Sequence, residues 1–287
     1  MMANRPVYVS MTRPPFYQEW NVEFVFNAGF STAQKQRNIE AIHEAFLRRK
    51  PNGVPLEISS KSKTPLGVNL SAFNLKKHIA SLDINIPVEN AYQGGKKFKF
   101  GGPYTDLYHV TPKESKRDER LNNSGALQAF TFEGVDYPLE PKNGFYDWLY
   151  IQALSENEEY MEEVQKYNAF TDVEFNPNKS INCQARAAAM FVGIAKAGLL
   201  DQTKDFYDFC KLITSKANMG SANQVVKETK VVAEPTSEIT FTEGQAIKHP
   251  TFGDGKIKTI SGGYLKIQFD CGEKIIGEKW AKEKCTF

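Results

Sequence analysis

Short apolar runs alternate with turn residues along the first part of the chain. Pro6–Ser10 (PVYVS) and Val22–Phe26 (VEFVF) read as two strands, with Pro14 and Pro15 forcing a turn between them. Ser31 followed by Gln34 is a capping-box pattern, and Ile39, Ile42 and Phe46 then recur at helical spacing until Pro51 and Gly53. Residues 56–75 begin strand-like and turn irregular. Ser81–Val88 (SLDINIPV) is another strand-like run, and it leads into a stretch, Ile86–Phe98, that reads as a helix. Gly101, Gly102 and Pro103 force a turn. Ala126–Tyr137 alternates around a Glu-Gly pair, as a hairpin does.

The second half is more helical. Phe145, Trp148, Leu149 and Leu154 share helical spacing, Asn157 ends that helix, and Glu158–Tyr167 forms a strongly acidic one. A helix from Asn182 to about Leu199 buries Ala185, Ala188, Ala189, Val192 and Ile194, and Lys204–Ile213 is short and amphipathic. Residues 214–242 have no apolar period and read as a flexible linker. Residues 243–287 return to short alternating strands between Gly-Asp-Gly, Gly-Gly and Cys-Gly-Glu turns, which suggests a small SH3- or Tudor-like barrel. The expected fold is α+β. A helix-dominated domain with short strands over 1–213 is followed by the linker and by an accessory module over 243–287.

Composition narrows the partners. Lys+Arg 36 against Asp+Glu 34 gives a net charge of +2, so any contact with nucleic acid must come from a local patch. The four cysteines, Cys183, Cys210, Cys271 and Cys285, show no CxxC spacing, so reduced, buried thiols are expected rather than a metal site or a disulfide framework. No apolar run approaches membrane-spanning length and the start has no signal-like core, which points to a soluble, cytoplasmic protein.

The densest chemistry lies in Ile86–Phe98. Written as a helix, Glu89, Gln93, Lys96 and Lys97 share one side, with Tyr92 among them. Such a face either is merely solvated or holds a negatively charged, ring-containing ligand. Gly94 and Gly95 inside it cost about 1 kcal/mol each relative to alanine, which favours close approach of a ligand or of another element. Elsewhere, Ser59, Ser60, Ser62 and Ser71 have no histidine nearby, which disfavours a serine nucleophile. Lys113–Arg120 is either a solvated face or a source of phosphate ligands, with Lys116, Arg117 and Arg120 as candidates. Trp148 is a core residue or a stacking surface for a base. Asp172 caps a turn or serves as a second carboxylate. Lys256, Lys258 and Lys266 form a basic strip or protect a sheet edge.

The pattern Glu-x-x-Tyr-Gln-x-x-Lys after Pro-Val resembles the signature helix of the NADAR superfamily, the YbiA-like N-glycosidases. Leu66–Leu75 (LGVNLSAFNL), Phe145–Leu154 (FYDWLYIQAL) and Ala169–Ala189 resemble three further family segments, in the right order, over roughly residues 5–200. The likeness is greatest to NADAR antitoxins that accompany guanine-specific DarT-type DNA ADP-ribosyltransferases. The resemblance implies Glu89, Lys96 and Asp172 as catalytic groups. It also implies ligand contacts from Asn69, Ser71 and Asn74, from Tyr92, Gln93 and Lys97, and from Phe175 and Asn182, with Arg186 one helical turn after Asn182. Neither cofactor nor metal is expected.

Cleaving an N-glycosidic bond builds positive charge on the sugar. One carboxylate stabilises that charge or activates water, and a second group protonates the departing base. Lys96 is either a fixed cation for phosphates or an amine that attacks the ring-opened ribose. The expected substrate is ADP-ribosylated guanine in single-stranded DNA or RNA, with a DarT-type toxin as partner. Two alternatives stand beside it: glycosidase action on a phosphoribosylamino-pyrimidine of riboflavin synthesis, and sequestration of the modified nucleic acid or the toxin without catalysis.

Overall fold

The computed structural model describes residues 2–176, 182–215, 241–249, 253–261, 264–277, 281, 285 and 286. They fall in two compact units, Met1–Met219 and Gly220–Phe287. The segment expected as a linker, 214–242, lies almost entirely outside the described residues.

In the first unit, β1 (Met2–Ser10) and β2 (Tyr17–Val25) form an antiparallel hairpin, each strand starting several residues before its apolar run and β2 ending one residue short of Phe26. β9 (Ala169–Thr171) pairs antiparallel with β1 and parallel with β3 (Pro55–Glu57), giving the order β2-β1-β9-β3. This sheet is covered on both faces. Val7, Val9, Val22 and Phe24 pack against Ile42, Ala45 and Phe46 of helix α1 (Thr32–Arg49). Tyr8, Leu56 and Phe170 point the other way, into the main core. Period-two alternation therefore places apolar groups on both sides of β1, which is why it reads as an unbroken apolar run. The capping box that opens α1 forms as expected, with Ser31 Oγ accepting the Gln34 backbone N–H.

Two helices fill the main core. α6 (Gly144–Ser155) and α8 (Gln184–Lys196) are apolar nearly all round and buried over most of their length. Around them stand α2 (Pro65–Asn69), the hairpin β4 (Lys76–Ile79) and β5 (Ile84–Pro87), α3 (Val88–Gly94), and the sheet β6 (Lys96–Phe98), β7 (Leu127–Phe132) and β8 (Val135–Tyr137). The short helix α4 (Pro112–Arg117) and the 3-10 turn Thr105–His109 cover α3, and α5 (Arg120–Asn123), α7 (Glu158–Val164) and α9 (Phe206–Thr214) complete the unit. The β7–β8 turn uses Glu133 and Gly134, both with positive φ, as a two-residue hairpin loop requires. The architecture is mixed α+β.

The second unit is an antiparallel meander of β10 (Ala246–His249), β11 (Gly253–Ser261), β12 (Tyr264–Phe269) and β13 (Gly272–Gly277), closed over Phe241, Ile247, Ile257, Leu265, Ile267 and Phe269. Among the described residues it is an open sheet, extended at β10 by one bridge from Lys248 to Thr286, and the expected closed barrel is not formed. The basic strip is partly neutralised, because Lys258 and Lys266 both pair with Glu273. All four thiols are free. Cys183 and Cys285 are buried and Cys210 half-buried, but Cys271 is exposed at the β12–β13 turn, against the expectation of buried thiols.

Candidate active site

The site is built on α3, and α3 is short because of its two glycines. A Cβ at Gly94 would meet the Tyr108 ring at 2.6 Å, and one at Gly95 would meet the Thr131 carbonyl oxygen at 2.8 Å. Close approach of neighbouring protein, rather than of a ligand, is what these glycines allow. The helix ends at Gly94 and the chain continues as β6, so Lys96 and Lys97 project on opposite sides of a strand. The expectation that all four polar residues share one helical face is thus corrected. Glu89, Gln93 and Lys96 come together, whereas Lys97 turns away to pair with Asp136 at 2.6 Å.

The start of α3 is stitched to the segment before it. The backbone N–H groups of Val88 and Glu89 donate to the carbonyls of Leu75 and Ala72, both at 2.9 Å. This satisfies helix-terminal donors and buries Glu89 to 5 % exposure. Gln93 Nε2 donates to Glu89 Oε1 at 2.8 Å, and Lys96 Nζ donates to Gln93 Oε1 at 2.6 Å. The ammonium also stands 4.9 Å above the Tyr92 ring. Burial lowers Lys96 to about 8, with Glu89 opposing that shift and the nearby Lys116 reinforcing it. Lys116, on α4, lies 3.6 Å from Glu89 Oε1 and 5.4 Å from the Phe73 ring. A carboxylate, a bridging amide and two ammonium groups therefore converge beside two aromatic rings.

Asp172 approaches from another element. It follows β9, and its Oδ1 accepts the backbone N–H groups of Glu174 at 3.0 Å and Phe175 at 3.1 Å. The Gln184 amide is a further partner, and Gln184 also binds Ala72 N and Ile58 O. Asp172 keeps some solvent contact, yet the packed surroundings and the neighbouring Glu57 push its carboxyl up. The link between the two halves is Tyr146 on α6, whose buried hydroxyl feels the charge of both Glu89 and Asp172. Tyr92 hydrogen-bonds Asn182 and so ties α3 to the start of α8.

The remaining candidates are distributed differently from the sequence reading. Ser71 Oγ and Asn74 Nδ2 both donate to the Val68 carbonyl, at 2.8 and 2.9 Å, and so shape the turn after α2. Asn69 is half-exposed on α2, and Phe175 is buried in the core. Trp148 is core rather than a stacking platform, 6 % exposed, with its indole N–H donating to the Thr203 carbonyl at 3.0 Å. Arg120 is not held ready for a phosphate. Its guanidinium is taken by Asp106 and Asp118, at 2.6 and 2.8 Å, and lies over the Tyr104 ring. Arg117 is exposed on α4.

Arg186 does not line the site beside Asn182, because Asn182 precedes α8 and Arg186 turns into the core toward Asp147, at 2.9 Å. Breaking a buried pair of this kind costs ~3–5 kcal/mol, so Arg186 carries the fold. The sequence reading missed Tyr146 and Glu57, and it did not separate Lys116 from its two arginine neighbours. Of that basic run, Lys116 is the one the structure places against Glu89.

A family model described as DarT1-associated NADAR antitoxin matches residues 3–223. No curated protein matches the chain.

Proposed function

The chain belongs to the DarT1-associated NADAR antitoxin family, and on that premise we propose that it is a glycohydrolase that removes ADP-ribose from guanine in nucleic acid, reversing the mark of a DarT-type toxin. The observation that supports this most is the Glu89–Gln93–Lys96 chain with Lys116 beside it, near the buried Tyr146 hydroxyl that feels the charge of both Glu89 and Asp172. A carboxylate fixed by an amide suits the positive charge that develops at the anomeric carbon. Two ammonium groups nearby suit a diphosphate. A carboxyl pushed up into the neutral range suits proton donation to the departing base.

The test is release of ADP-ribose from a guanine-ADP-ribosylated single-stranded oligonucleotide. Release by wild type, lost in Asp172→Asn, is expected. Tight binding without release would instead favour sequestration. Neither binding nor release would redirect the search to the phosphoribosylamino-pyrimidine substrate.

The second unit is assigned an accessory role in holding the modified strand or the toxin. Its apolar core is its own, and its exposed lysines lie on the sheet. Deleting residues 243–287 is expected to leave hydrolysis of a short oligonucleotide within about twofold of wild type. Loss of activity in a folded truncation would place this unit in the catalytic machinery.

A further inference from the structure

Both residues that flank Asp172 are held by a single side chain. Glu57 ends β3, in parallel register with Thr171 of β9, and is 2 % exposed. Its Oε2 accepts the Thr171 hydroxyl at 2.6 Å and its Oε1 accepts the Val173 backbone N–H at 2.8 Å. Ser59 supplies a third hydrogen bond. Thr171 Oγ1 also lies 2.9 Å from His43 Nε2 of α1. Burial lowers His43 to about 4, so its ring is neutral. Thr171 gives its only proton to Glu57 and therefore receives one from His43, which fixes the Nε2–H tautomer. Joining two strands does not call for an ionisable side chain, because burying a carboxylate costs several kcal/mol and a neutral amide offers similar hydrogen bonds.

We propose that Glu57 is a positioning residue for Asp172, gripping the residue on either side of it and setting the charge with which its carboxyl meets the substrate. The inference rests on the reading of Asp172 as the proton donor. Two carboxyls lie in one packed region, and each disfavours ionisation of the other, as burial already does. The pair therefore retains one proton near neutrality. Asp172 is half-buried as a residue, against 2 % exposure for Glu57, so it is the member placed to pass that proton on. The groups around it are consistent with this. Tyr146 and Tyr150 of α6 and Cys183 before α8 are all raised by burial and stay neutral. Glu174, in the same loop, pairs with Lys35 of α1 at 3.3 Å.

The experiment follows the Asp172 carboxyl directly, by infrared titration of wild type minus Asp172→Asn with carbon-13-labelled aspartate, and then repeats it with Glu57 changed. In Glu57→Gln the Asp172 midpoint is expected to fall by at least about one pH unit. Thr171→Val should shift it the same way. Loss of the hydroxyl weakens the Glu57 anion, so the shared proton moves to Glu57 and Asp172 ionises earlier. In the rate assay, the high-pH limb of kcat/KM should move down with the midpoint in both variants. If Glu57→Gln does not fold, Thr171→Val alone decides. A folded variant with the wild-type midpoint overturns the proposal. Wild-type turnover in Asp172→Asn would instead overturn the functional reading on which it rests.

Discussion

Glu89→Gln is expected to lower kcat by about a thousandfold while ADP-ribose binds as tightly as before or slightly tighter. The substitution keeps the shape and the acceptor oxygen, so the Gln93 amide can still donate to position 89 as it does at 2.8 Å in wild type. What disappears is the charge. A buried carboxylate at 5 % exposure has little water to screen it, so its field on a developing sugar cation is stronger than at the surface. A bound diphosphate is repelled by the same carboxylate, so removing the charge does not weaken product affinity. Lys116 loses its partner and becomes available to phosphate. Isothermal titration with ADP-ribose and single-turnover hydrolysis, run side by side, read the two effects separately. Near-wild-type turnover in a folded variant would remove Glu89 from the chemistry. Equal losses in affinity and rate would make it a binding residue only.

The parts of this site that were legible in the sequence are those set by local geometry. Glu89 and Gln93 lie four apart on a real helix, and their hydrogen bond follows from that spacing. The capping box at Ser31 and the Glu133–Gly134 turn are local in the same sense. Lys97 was misplaced because the helix ends at Gly94, where the Tyr104 and Thr131 backbone N–H groups donate to the Gly94 and Gly95 carbonyls and Tyr108 leaves no room for a Cβ at Gly94. Nothing within the motif announces these neighbours. Arg120 shows the same limit, since its partner Asp106 stands fourteen residues away in the short 3-10 turn Thr105–His109. Glu57 is the clearest case. Its contacts with Thr171 and Val173 span more than a hundred residues, and in sequence it is one acid in an apolar strand. Periodicity reports which face of an element is buried, but not what the opposite element brings to meet it.

Lys96→Met is expected to lower kcat/KM by at least about a hundredfold and, at pH 7, to raise the melting temperature. The stability gain follows from linkage. Burial holds Lys96 at about 8 in the folded protein, below its ordinary value of 10.5. Below pH 8 both folded and unfolded chains hold the proton, and the folded protein bears the whole penalty of a charge out of water. Between about 8 and 10.5 the unfolded chain binds more proton than the folded one, so wild-type stability rises with pH. The methionine variant lacks this term, so its advantage shrinks as the pH approaches 10. Melting curves across pH 7–10 test the sign.

The rate profile then separates the two roles open to the lysine. At pH 7 about a tenth of the molecules carry the free amine, against a few parts in ten thousand for an unperturbed lysine. A nucleophilic amine gives a kcat/KM that climbs through pH 8, and borohydride then traps a sugar adduct on wild type but not on Lys96→Arg. A phosphate-binding ammonium gives a rate that falls through the same pH, and Lys96→Arg retains much of it because the charge is kept. Activity within a few fold of wild type in Lys96→Met would exclude both roles and leave Lys116 as the cation that matters.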